Sequence, residues 1–271
     1  MLIALLTLLL LNLLLIAHEL GHFLLAKLFN VKVIEFGVGF PPKILSFKKG
    51  EVTYALNSIP LGAYVNLVEE ENNPDPRNFR NKSFWQKILI LSGGVLANTL
   101  IAIIIFVVLF NIGIPRNILP DNYHLSVLNS TNIIRLNFIQ SLKETFAFLF
   151  FVFKETLRGL KIAFIKIFTS LDVSDLTGPV GIFTITNRGF YHGLIWGLYV
   201  LGLISYALAI FNFLPIPVVD GGKIIVVFIE KIFKKQLNPK VINAIDNVAL
   251  IFLLFLAILV TIKDIRFFYF S

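Results

Sequence analysis

The chain has 271 residues, 57% of them hydrophobic and only 15% charged, and its mean hydropathy is +0.84. Soluble domains average about 45–50% apolar residues with glycine counted, so this composition excludes a water-soluble monomer, and its aromatic and aliphatic richness excludes disorder. The absence of cysteine excludes a disulfide scaffold, a Cys-based zinc site and a thiol nucleophile, while the net charge of +8 reads as basic loops facing an anionic bilayer rather than as a nucleic-acid footprint.

A membrane span needs about 20 largely apolar residues. Four segments meet that length, at about residues 2–29, 88–114, 193–229 and 244–262. In the first, only Thr7 and Asn12 interrupt the apolar run before residue 18. Its apolar character continues past residue 20 without a charged n-region or a small-residue cleavage site, so it reads as a span rather than a cleaved signal peptide. The third span is broken in its middle. The fourth is short and relies on Lys263 and Arg266 snorkelling at its end.

Basic residues near the span ends set the orientation. Lys32, Lys43, Arg77, Arg80, Lys82 and Lys87 fall in the first loop, and Lys231, Lys234, Lys235 and Lys240 in the third. The second loop has only Arg116 and Arg188 beside its spans. Loops one and three are therefore expected in the cytoplasm.

Between the first two spans, residues 31–67 read as a β-hairpin region. Lys43–Phe47 and Val52–Leu56 alternate as strands around the turn residues 48–51, and the glycine-rich stretch 36–40 lets backbone approach backbone. Its edge suits either a structural cover or a strand that holds an unwound peptide. In the second loop, residues 141–170 place apolar side chains at helical spacing, with Lys143, Glu144, Lys154, Glu155, Arg158, Lys161 and Lys166 in one sector of roughly 140°. This predicts an external amphipathic helix lying in the interface or packed across the bundle; the alternative is a fifth span with a polar internal face.

The chemistry concentrates at His18-Glu19-Leu20-Gly21-His22. Spacing i, i+4 stacks two imidazoles on one helical face, where they can share one zinc ion, and Glu19 lies about 100° round the helix, beside the metal. There it can take a proton from a metal-activated water and pass it to the leaving amine. Histidines and a carboxylate at membrane depth are costly unless paired, and a metal removes that cost where ordinary packing does not. A catalytic zinc needs a third protein ligand. His124 and His192 fall in or beside the external loop. Asp220, in the Pro- and Gly-broken run Asn212–Gly222, can supply an oxygen ligand, its other reading being a helix cap. Asn212 can bind substrate or oxyanion, or simply bridge helices.

These residues resemble the site-2 protease family of intramembrane zinc metalloproteases, in its bacterial RseP-type branch. HELGH at 18–22 is similar to the family's HExxH, and NFLPIPVVDGG at 212–222 to its Asn-x-x-Pro-x-Pro-x-Leu-Asp-Gly, with Val219 in place of leucine. Residues 36–43 and 59–65 resemble its membrane-associated hairpin. Residues 79–86 and 93–98 resemble its entry into the second helix, and 177–182 the segment before the motif helix. Members of that branch normally carry PDZ domains of near ninety residues in the second loop. Only about thirty residues separate the second span from the amphipathic helix here, so no PDZ domain and no PDZ-bound peptide partner are expected, nor a CBS domain.

The expected fold class is membrane all-α: about four transmembrane helices with a cytoplasmic-side membrane-associated β-hairpin and an external amphipathic helix, forming a single metalloprotease domain over residues 1–271. The resemblance implies one Zn2+ per chain held by His18, His22 and Asp220, with Glu19 catalytic and Asn212 substrate-binding. It also implies cleavage of transmembrane segments of membrane-anchored proteins or signal-peptide remnants at a bacterial inner membrane, with the active site in the cytoplasmic half. The rival is a zinc-binding transporter or metal sensor, which would line more than one span with polar residues along a path.

Overall fold

A computed structural model describes residues 1–70, 73–125, 132–170 and 172–270. In chain order it contains α1 (Leu2–Leu28), β1 (Val33–Lys49), β2 (Val52–Leu67), α2 (Phe84–Leu91) and α3 (Gly93–Ile112). There follow β3 (Ile114–Pro115), β4 (Ile133–Ile134), α4 (Phe138–Ser170), α5 (Pro179–Tyr191), α6 (Leu194–Phe213), α7 (Asp220–Phe233) and α8 (Pro239–Tyr269).

Among the described residues, α1, α3, α6 and α8 are long and apolar enough to cross a bilayer. Along them Leu5, Leu9, Leu100, Ile104, Ile251 and Phe255 are exposed. Water does not tolerate apolar surface on that scale, whereas lipid covers it. The protein is an integral membrane protein.

The helix boundaries differ from the hydropathy pattern for local reasons. Ser83 and Gln86 form a capping box that starts α2 at Phe84, four residues before the apolar run itself. Ser92 then caps α2 and separates it from α3. The third apolar segment divides into α6, which reaches spanning length alone, and the amphipathic α7. Pro215 and Pro217, which lack amide donors, prevent the helix from continuing between them. Val218 there adopts φ +79°, a strained value for a β-branched residue.

The chain forms two compact units. The first comprises residues 9–98 and 208–251. Its core gathers Ala26 of α1 and Val31 just after it, Val33 and Val52 of the hairpin, Ile90 of α2, and Ile224 and Val227 of α7. The hairpin turns at Gly50–Glu51, inside the stretch expected from sequence, and pairs Lys49 with Val52. Both strands are bent and longer than their alternation suggests. Residues 35–38 pair with 66–63 in antiparallel order and also with 53–56 in the same direction, while 43–49 pair with 57–52. The glycine-rich stretch is therefore an inner rung, flanked on both sides by β2.

The second unit comprises residues 1–8, 99–207 and 252–271. Phe106, Phe110, Tyr123, Phe148 and Tyr199 pack edge-to-face at its core, the geometry that aromatic quadrupoles favour. The helix expected at 141–170 is present as α4, but its charged sector is not uniformly outward. Glu144 is fully buried and accepts a hydrogen bond from the Tyr123 hydroxyl, and Ser141 and Thr145 are buried beside it. On the opposite side Phe146 and Phe150 are exposed. The amphipathic pattern was legible, but the buried face at this end mixes Ser141, Glu144 and Thr145 with Phe148 and Leu149, while Lys143, Lys154 and Glu155 stay exposed.

Lys263 does not snorkel outward. Its Nζ donates to the Leu176 carbonyl at 2.5 Å and pairs with Asp264 at 2.7 Å. Fully buried Asp264 in turn accepts the backbone amides of Gly178 and Gly181 at 2.8 and 2.9 Å, so α8 caps the start of α5. A carboxylate there satisfies orphan amides and the positive end of the helix dipole together. That second-loop motif, 177–182, is thus a docking turn.

Candidate metal centre

The first unit places His18, Glu19 and His22 on α1 and Asp220 at the first residue of α7. The two imidazoles, one turn apart, cross at 75° with centroids 5.0 Å apart. His18 Nε2 and His22 Nε2 each lie 3.1 Å from Asp220 Oδ2, and 3.3 Å from one another. Ligands at about 2.0–2.1 Å around a tetrahedral zinc are themselves separated by about 3.3 Å. The three donor atoms thus form one face of such a tetrahedron. Among the described residues this is the one group of three or more His, Asp or Glu side chains so placed. All three are more than nine-tenths buried, which water-bound charges do not sustain without a partner.

Supporting contacts fix the rings. His22 Nδ1–H donates to the Ile90 carbonyl at 2.8 Å, leaving Nε2 with a free lone pair toward Asp220. His18 Nδ1 lies 3.4 Å from the side-chain amide of Asn98, which is fully buried. Neither support was assigned from sequence. The only signal was the position of Asn98 in the motif Gly93–Asn98, since a backbone carbonyl carries no signature at all.

Glycine makes this closeness feasible in two places. A Cβ on Gly21 or Gly93 would fall within 2.7 Å of the facing backbone, and one on Gly94 within 2.5 Å of the His18 ring. The start of α3 therefore presses directly on the HELGH turn. Asp220 is set by a similar approach: a Cβ on Gly221 or Gly222 would meet the carbonyls of Leu214 or Ile216 at 2.1–2.2 Å. The proline-containing segment folds back against the start of α7, and Asp246 of α8 accepts the Val218 amide at 3.1 Å to hold it.

Beside the ligand cluster lies a cavity of about 280 Å³ lined by Leu15, His18, Glu19, Phe40, Leu61, Gly62, Ala63, Asn98, Leu208 and Asn212. Glu19 thus lines a partly open cavity next to the candidate ligands. Asn212 also reaches the cavity, and its Nδ2 donates to the Leu208 carbonyl one turn back at 3.0 Å, which engages one of its two N–H donors within its own helix. Asp220 does not cap α7 with its side chain; its carboxylate points to the imidazoles.

The family model for peptidase family M50 matches residues 6–256, a stretch that contains every residue of this cluster. The chain belongs to peptidase family M50. Membership in this family, the site-2 proteases, makes it a zinc metallopeptidase. A protein of Clostridium perfringens, provisionally named a zinc metalloprotease, is 28% identical, with 94% of this chain and 96% of the relative covered. Similar relatives of the same provisional name occur in Clostridium acetobutylicum, 28% identical over 93% and 94%, and Fusobacterium nucleatum, 26% identical over 94% and 96%. The first alignment spans 320 positions but takes in only about 255 residues of this M50 chain, so that relative has about 65 that this chain lacks. No PDZ domain is evident in the 271 residues.

Proposed function

We propose that this metallopeptidase is an intramembrane endopeptidase that cleaves transmembrane segments of membrane-anchored proteins or signal-peptide remnants. The observation that carries the reading is the donor triangle that α1 forms with Asp220 of α7. His18 lies about 24 Å along an apolar 27-residue helix, so a peptide reaching it must enter the apolar layer. By the distribution of basic residues that depth belongs to the cytoplasmic half of a bacterial inner membrane.

In this reading His18, His22 and Asp220 hold one zinc ion, and Ile90 and Asn98 orient the two imidazoles. Bound there, zinc supplies Lewis acidity, acidifying a water and polarising the scissile carbonyl. Glu19 accepts the water's proton and returns it to the leaving amine. Asn212, which lines the same cavity, can offer the second N–H of its amide to the reacting carbonyl. The apolar lining, Leu15, Phe40, Leu61 and Leu208, keeps bulk water out and so strengthens each electrostatic contact.

A transmembrane helix shields its own carbonyls by hydrogen bonding and must unwind before attack. Residues 59–67 suit that task. They pair with β1 on one side, and 61–63 line the cavity with the other side unpaired by any strand among the described residues. An extended peptide can add there by backbone hydrogen bonds.

The test is co-expression of wild-type or Glu19→Gln protein in one bacterial host, with membrane proteomics of both. The reading expects truncated fragments of single-span proteins or signal peptides, with new termini inside apolar segments, in the wild type alone. Identical fragment profiles in the two strains would overturn it.

A further inference from the structure

Asn12 is one of two polar side chains in the first sixteen residues of α1, and nothing in the chemistry above uses it. A primary amide in so apolar a helix is costly unless it finds a partner. The partner is specific: Asn12 Oδ1 accepts the backbone amide of Gly62 at 2.6 Å. Gly62 is buried, lies in the left-handed region at φ +73°, and sits between Leu61 and Ala63 on the cavity rim. Its amide is not spent on β1, since no pair is made at position 62. The bond therefore ties the rim strand, in the stretch between Ile59 and Ala63 where pairing with β1 lapses beside the cavity, to the helix that carries His18 and Glu19.

Asn12 precedes His18 by six residues, about 9 Å along the axis. An extended chain covers that distance in roughly three residues. A peptide laid along the rim would thus be registered by a fixed point about three residues from the reacting carbonyl. The bond also occupies one donor on the rim, which marks where pairing with an added strand must stop.

We propose that Asn12 is a positioning residue for peptide hydrolysis: its amide oxygen clamps the cavity-rim strand at Gly62 and thereby sets which peptide bond of an added substrate strand meets Glu19. The proposal rests on the intramembrane-cleavage reading for its substrate, but the clamp itself does not.

Full-length protein is reconstituted in liposomes with a single-span substrate, as wild type, Asn12→Leu and Asn12→Asp. Zinc content is measured for each, together with kcat/KM and the exact product termini. Because the chain has no cysteine, Ala63→Cys in each background reports rim mobility through its rate of maleimide labelling. Asn12→Leu is expected to keep one zinc, lose about tenfold in kcat/KM, spread a single cleavage position to neighbouring bonds, and label several-fold faster. Asn12→Asp, which restores an acceptor at the same length, is expected to recover a single cleavage position and slow labelling. Wild-type labelling and a single cleavage position in Asn12→Leu would overturn the proposal. So would an Asn12→Asp protein as impaired as Asn12→Leu, because side-chain shape rather than the acceptor would then be at work. Faster labelling of Asn12→Leu in a protein whose wild type cleaves no transmembrane segment would uphold the clamp and refute the substrate reading.

Discussion

At the scale of residues, the centre divides into groups that announce themselves and groups that do not. His18 and His22 were legible because helical periodicity alone puts them on one face. Asp220 was legible because prolines and glycines in an apolar run mark irregular backbone that must line something. Asn98 and the Ile90 carbonyl were not, because their roles arise from proximity across sixty-eight to eighty residues of chain. They matter nonetheless. Removing an orienting partner of a metal-bound histidine typically costs ten- to a hundredfold in metal affinity. Asn98→Ala is accordingly expected to weaken zinc binding by that range, read by competition with a fluorescent chelator, and unchanged affinity would remove Asn98 from the account. Gly94→Ala is expected to be harsher, since its methyl group would overlap the His18 ring. Metal analysis of the purified variant should give well under one zinc per chain; full occupancy would show that α3 can retreat.

At the scale of elements, alternation predicted the hairpin but not its doubled pairing. Period-2 patterning shows which side chains share a face, whereas the partner of each edge is fixed by bends that have no local signature. The same limit explains Glu144. Periodicity grouped it with the lysines of α4, and it could not say which side of the helix meets the packed aromatic cluster. Within the hairpin, Glu35 accepts from Lys43 Nζ at 2.6 Å and from the Tyr64 hydroxyl at 2.5 Å. The Lys43 ammonium, then the Tyr64 hydroxyl, hold its carboxyl below the usual value of 4.5. With the folded value depressed, this contribution is fully present above about pH 4.5 and fades as pH falls through the lower folded value. Hydrogen exchange across 33–67, corrected for intrinsic rate, should therefore quicken as the medium is acidified below pH 4.5. Glu35→Gln should flatten that dependence; the same acid response in the variant would assign it to another group.

At the scale of the whole molecule, the excess of apolar residues does two jobs. It covers the spanning helices with surface that only lipid can match, and it encloses the few polar groups where their interactions are strongest. Composition was sufficient to place the chain in a bilayer, and the motifs were sufficient for the family, because both are carried by residue identity. What controls access to the cavity was not legible, because access depends on how elements distant in sequence meet, which no local pattern encodes. The central claim is that His18, His22 and Asp220 hold the zinc while Glu19 moves the proton. It is tested most directly by measuring zinc content and cleavage of a single-span substrate in liposomes for wild type, Glu19→Gln and Asp220→Ala. The account predicts one zinc with cleavage in the wild type, one zinc with cleavage lowered at least a thousandfold in Glu19→Gln, and loss of both in Asp220→Ala. Substantial cleavage by Glu19→Gln, or full zinc retention by Asp220→Ala, would contradict it.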